Sequence, residues 1–145
     1  MKTIKFLFLA LALTVSAGAS AQLATFYNPL GTNLTTDTVT NSGTAYVTTR
    51  VLANRQAVAT TIQIVVTKIS GTVGGTITLQ GSIDGTNFKA LNTPNTQTAM
   101  ATITAADATA IYHYWLAGCP YQYYRVSWTG TGTMSATVAA KLYRN

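Results

Sequence analysis

The stretch 61–91, TIQIVVTKISGTVGGTITLQGSIDGTNFKAL, limits the possible folds of this chain more than any other. Ile62, Ile64 and Val66 alternate with Gln63, Val65 and Thr67, and Ile77, Leu79 and Ile83 alternate with Thr76, Thr78, Gln80 and Ser82. Side chains on a strand change faces at every residue, so a period of two sends one apolar row to a core and one polar row to water. Thr, Ile and Val suit a pleated surface because they branch at Cβ. Gly71, Gly74 and Gly75 supply the connection between the two strands, and Asp84-Gly85-Thr86-Asn87 supplies the next turn.

The same alternation recurs along the chain. It predicts strands over 45–52, 59–69, 76–83, 88–91, 98–104, 110–116, 121–129 and 133–143, separated by turn signals such as Asn41-Ser42-Gly43 and Gly130-Thr131-Gly132. Met134, Ala136, Val138, Ala140 and Leu142 share one face of the last strand. About eight strands with turns at short intervals predict an all-β chain, a single antiparallel β-sandwich of jelly-roll type. Thr makes up roughly a fifth of the residues, which favours strand over helix. No repeat or linker divides the chain, so the sandwich domain is expected over 44–145, with 22–43 as an extended arm or edge segment leading into it.

Residues 1–21 have the layout of a secretory leader, expected as an apolar helix: Lys2 and Lys5, the apolar run FLFLALALTV, then Ala19-Ser20-Ala21 before Gln22. The run is too short to span a bilayer, which takes about 20 residues. Cleaved, the leader implies export to the cell surface or beyond; uncleaved, it is an apolar arm. Beyond it, seven Lys and Arg stand against three Asp, scattered singly along the chain. A nucleic-acid partner generally calls for a clustered basic stripe, so that class is set aside. With a single Cys, no disulfide closes within the chain, and stability must come from the core.

Groups suited to catalysis are scarce. There is no Glu, one His (His113) and one Cys (Cys119), and those two flank a strand break at Gly118-Cys119-Pro120 with no signature around them. Nucleophilic catalysis requires nucleophile, base and orienting group within hydrogen-bond reach, so the chain is expected not to be an enzyme. Asp84 and Asn87 offer oxygen atoms, but a calcium loop draws on several carboxylates and a tight turn accounts for both residues. No metal or cofactor is expected. The aromatic cluster Tyr112, Tyr114, Trp115, Tyr121, Tyr123, Tyr124 and Trp128 has more to offer, since exposed rings stack on sugars and anchor protein interfaces. Alternation sends Tyr124, Val126 and Trp128 inward, and Tyr121, Tyr123 and Arg125 outward as the candidate contact surface. His113 is expected on the face opposite Tyr112 and Tyr114.

The segment TLQGSIDGTNFKAL resembles a pattern of small β-sandwich proteins in the structural modules of tailed-phage virions, where a Leu-Gln-Gly-Ser strand end leads into an Asp-Gly-Thr-Asn turn. The downstream YQYYRVSWTGTGTMSATVAAKL is similar to the closing hairpin of the same family, with NSGTAYVT upstream. This resemblance implies a non-catalytic decoration or fibre-associated component that packs against itself or a larger assembly. LQGSIDGTNFKAL is also similar to the corresponding hairpin of discoidin-like glycan-binding sandwiches, which implies a secreted carbohydrate-binding module as the alternative. Those domains carry a disulfide and a longer chain. The leader departs from the virion pattern, and a secreted phage protein or a bacterial surface protein sharing the module reconciles the two.

Overall fold

A computed structural model of the chain describes residues 22–25, 36–51, 59–92, 100–118 and 120–144. The expected leader helix and Cys119 lie outside the described residues. Ten strands are formed among the described residues, and no helix, so none there is long and apolar enough to cross a membrane. They are β1 (Gln22–Thr25), β2 (Thr36–Thr40), β3 (Thr44–Arg50), β4 (Ala59–Gly71), β5 (Thr76–Ser82), β6 (Lys89–Ala90), β7 (Ile103–Thr104), β8 (Ala110–Ala117), β9 (Tyr123–Thr129) and β10 (Met134–Arg144).

Two five-stranded antiparallel sheets face each other. Sheet A runs β1-β10-β4-β8, with β2 beside β1 on the same flank of β10; sheet B runs β3-β9-β5-β6, with β7 also on β5. From β2 to β5 successive strands cross between the sheets, and β8, β9 and β10 do so again, so almost every ladder joins strands far apart in sequence. This is the double-sheet jelly roll that the strand pattern predicts. Within the arm expected over 22–43, β1 and β2 add to sheet A along β10.

The alternating apolar rows meet between the sheets. Ile62, Ile64 and Val66 of β4 and the whole even-numbered row of β10 from Met134 to Leu142 come from sheet A. Sheet B contributes Val47, Ile77, Leu79, Tyr124, Val126 and Trp128. Two polar atoms drawn in with them are satisfied: Trp128 Nε1 donates to the Gly74 carbonyl (3.2 Å), and buried Thr60 Oγ1 donates to the Gly118 carbonyl (2.7 Å). Gly75 sits at φ +109°, where any side chain is strained, and a Cβ there would collide with the Thr129 carbonyl.

One member of the expected core row is elsewhere. Ile83 is 70% exposed, because β5 ends at Ser82 and the chain leaves the ladder there. Ser82 Oγ donates to Asp84 Oδ1 (2.8 Å) and accepts from the Asp84 and Gly85 amides (3.3 and 3.0 Å), and the alternation stops where that turn begins. A second departure is in β4. Ser135 pairs with Ser70 but Ala136 pairs with Lys68, so Ile69 is an extra residue in a β-bulge, and it is 59% exposed.

Candidate functional site

Strand parity settles which side chains face water on sheet A. In β4 the even positions are buried, so Thr61, Gln63 and Val65 lie on the outer face. In β8 buried Tyr114 and Leu116 leave Ile111, His113 and Trp115 outside, and in β10 buried Ala140 and Leu142 leave Lys141 and Tyr143 outside. His113 therefore faces away from Tyr114, as its position in the strand predicts.

The ladders then bring these residues into rows. Tyr143 of β10 pairs with Thr61 of β4, and Thr61 pairs with Trp115 of β8. The next row is Lys141, Gln63 and His113, and the one after it Ala139, Val65 and Ile111. Neighbouring strands lie about 4.8 Å apart, so Trp115 and Tyr143 stand roughly 10 Å apart across the small Thr61. Trp115 is 65% exposed and Tyr143 47%. Between Tyr143 and the second row lies an open hollow of about 290 Å³ lined by Thr61, Gln63, His113, Lys141 and Tyr143. Gln63 Nε2 and His113 Nε2 are 3.3 Å apart and joined by a hydrogen bond. The face thus combines two outward rings with amide, imidazole, ammonium and hydroxyl groups on a rigid sheet.

The outer face of sheet B is differently made. Arg125 lies between two rings, with its guanidinium carbon 4.6 Å from the centroid of Tyr46 and 4.0 Å from that of Phe88, and its Nε donates to Gln80 Oε1 (2.7 Å). Burial among these groups pulls its pKa down. Tyr123 points outward with Arg50 over its ring at 5.8 Å, and Gly85 packs so closely that a Cβ there would approach the ring at 3.0 Å. Tyr121 does not belong to this outward row. It precedes the strand, which begins at Tyr123, so alternation does not govern it. It packs over Gly81 and meets Tyr124 edge-on at 6.0 Å. Of the three residues expected as a contact surface, Tyr123 and Arg125 share the outer face, while Tyr121 is partly buried and packs against the core.

Asp84 is occupied by its own turn. Its oxygens accept from the Thr86 and Asn87 amides (2.8 Å each), from Asn87 Nδ2 (2.7 Å) and from Ser82 Oγ. These bonds, the Asn87 amide first, hold its carboxyl well below the usual carboxylate range. Asp107 is held low by Lys68 (2.7 Å) and by the Val73 amide (2.6 Å).

Sequence reasoning counted Trp115 in the aromatic cluster but did not assign it to a surface, and it did not use Tyr143. The signal for both was present: each sits one position from a residue of a buried row, Leu116 and Leu142. The missing information was that β4 lies between β8 and β10, which aligns the two rings.

No protein-family model matches the chain, and no curated protein matches it. Among solved structures it is similar to CBM29_1, a family 29 carbohydrate-binding module from Piromyces equi, with a TM-score of 0.41 and 12% sequence identity, covering 86% of this chain and 91% of that one. That likeness is too distant to bear on what this chain binds.

Proposed function

We propose that the protein is a non-catalytic glycan-binding sandwich that holds a saccharide chain across the outer face of sheet A. One observation carries this reading: Trp115 and Tyr143 stand exposed in one ladder row, on either side of Thr61, and Tyr143 borders a hollow edged by Gln63, His113 and Lys141. A sugar ring has an apolar C–H face and a rim of hydroxyls. The two rings offer flat apolar surface to the former, and Gln63, His113, Lys141 and Thr61 offer donors and acceptors to the latter. A large exposed ring has a hydrophobic cost unless something covers it, which makes Trp115 informative. The open, shallow shape suits an extended chain better than a small buried ligand. Export through the leader-like segment 1–21 goes with this reading, since polysaccharides are met outside the cell.

Affinity electrophoresis and calorimetry against xylan, mixed-linkage β-glucan, galactomannan and polygalacturonate test it. Binding to at least one is expected. Trp115→Ala should weaken binding by about 10–100-fold, or roughly 1.4–2.8 kcal/mol, with the melting curve unchanged. Tyr123→Ala on sheet B should leave binding as it was. Binding that survives Trp115→Ala, or is lost with Tyr123→Ala, would move the site off sheet A. No binding to any of the four would end the proposal.

Docking onto itself or a larger assembly, the virion or surface role implied by the hairpin resemblance, is the second reading. Tyr123 and Arg125 are its candidate contacts on sheet B, although both already have partners within the chain. The observation that favours a protein partner is a strand edge on sheet A, that of β8, with which no strand pairs among the described residues.

A further inference from the structure

β8 is the outermost strand of sheet A. It pairs with β4 along one side, and among the described residues no strand pairs with its other side. An unpaired edge presents a row of backbone donors and acceptors to any strand that meets it, and proteins normally shorten, charge or cover such edges. The other edges of this sandwich follow that practice. β1 and β2 are four and five residues long, and β6 and β7 are two each. β3 is longer, but the Tyr46 amide on its open side donates to Asp37 Oδ2 of β2 (2.8 Å). Among the described residues β8 has none of these protections. It is eight residues long, AIYHYWLA, with no Lys, Arg, Asp, Glu, Pro or Gly, and it is the longest edge strand.

We infer that the protein dimerises by antiparallel pairing of β8 with β8 of a second copy, about a two-fold axis beside His113. The strand is complementary to itself in this register. With His113 opposite its own copy, Ile111 lies opposite the partner's Trp115, and Trp115 opposite the partner's Ile111. These are the two exposed large apolar side chains of the strand, at 57% and 65%. An aromatic ring directly across from a β-branched side chain is a favourable cross-strand pair, and the two-fold axis makes that pair twice. Moving the axis to Tyr114 sets Trp115 against His113 and Ile111 against Ala117; moving it to Tyr112 sets Ile111 against His113 and Trp115 against Thr109. Only the His113 register matches both apolar side chains, and β8 has no Lys, Arg, Asp or Glu to oppose across it.

The dimer is argued from the edge strand alone and does not depend on the ligand proposed above. Its consequence does. The two five-stranded sheets A run on as one continuous sheet, and because the axis is perpendicular to that sheet, both Trp115–Tyr143 platforms face the same way. Two sites side by side on one face suit a polymer surface, where the second contact becomes intramolecular and retention rises without any new contact per site.

Light scattering coupled to size-exclusion chromatography on the full chain tests the dimer. A dimer is expected, and Ile111→Lys is expected to convert it to monomer with an unchanged melting curve, since position 111 faces water in the single copy. Register is tested separately by cysteine pairing in a Cys119→Ala background. His113→Cys should oxidise to a disulfide-linked dimer, whereas Ala117→Cys, which faces Thr109 of the second copy, should not. A wild-type chain that stays monomeric at its highest soluble concentration would overturn the inference. So would a dimer that Ile111→Lys leaves intact, or cross-linking at position 117 and not at 113. Where a polysaccharide ligand has been identified, the Ile111→Lys monomer should keep its affinity for a soluble oligosaccharide and lose retention on the insoluble polymer. If glycan binding fails altogether, the scattering and cross-linking results still decide the dimer.

Discussion

Leu79 and Ile83 belong to the same apparent apolar row in sequence, yet only one is predicted to matter for stability. Leu79 is 2% exposed in the centre of β5, directly opposite Val126 of β9, and its carbonyl accepts from the Leu91 amide (3.1 Å). Truncation to Ala removes three carbons, which at about 0.8 kcal/mol each costs roughly 2.4 kcal/mol of transfer free energy. The surrounding strands are held by ladder hydrogen bonds and cannot collapse far. If about 50 Å³ stays empty, the cavity adds roughly 1.2 kcal/mol at about 24 cal/mol per Å³. Leu79→Ala should therefore cost about 3–4 kcal/mol, within the roughly 2–5 kcal/mol seen for such changes. For a chain of this size that lowers the melting midpoint by roughly 10–20 °C. Ile83→Ala, at 70% exposure, should stay within about 0.5 kcal/mol of wild type. Urea denaturation of both variants, followed by Trp fluorescence, measures the pair. Equal losses would refute the claim that β5 leaves the ladder at Ser82, and a loss of less than about 1 kcal/mol for Leu79→Ala would refute the assignment of the core row.

Two further outcomes follow from buried or tethered polar groups. The hydroxyl of Thr48 is buried on β3 with no hydrogen-bond partner among the described residues, so Thr48→Val should stabilise the fold by about 1 kcal/mol in the same denaturation assay; a loss of stability would mean the hydroxyl is satisfied. Asp84 and Asp107 are held below the ordinary carboxylate value of about 3.9, so each binds fewer protons folded than unfolded. The stability they contribute is complete above that value and is lost as the pH falls through their folded values. The melting midpoint should accordingly be nearly level from about pH 7 to 5 and decline below about pH 4, less steeply in Asp84→Asn. A midpoint that stays level down to about pH 2 in wild type would contradict it.

The sequence by itself determined the class of fold and most of the core. Alternation in 61–67, 76–80, 123–129 and 134–142 is a property of the local chain, and once each segment is extended it sorts Ile64, Leu79, Trp128 and Val138 inward whatever its neighbours are. The same rule erred where the strand had ended, at Ile83 beyond Ser82, and where it had not begun, at Tyr121 before Tyr123. Strand ends depend on hydrogen bonds to other segments and to turns, which a local period does not contain. Only the tertiary structure decided which outward residues stand together. Tyr143, Thr61 and Trp115 are separated by 28 to 82 positions in the chain, and they form one row because β4 pairs with β10 on one side and β8 on the other. Edge status was likewise decided by ladder order. β8 carries three aromatic residues and reads like a core strand in sequence, but among the described residues the jelly roll leaves its far side unpaired, because strands β9 and β10 that follow it are drawn into other ladders.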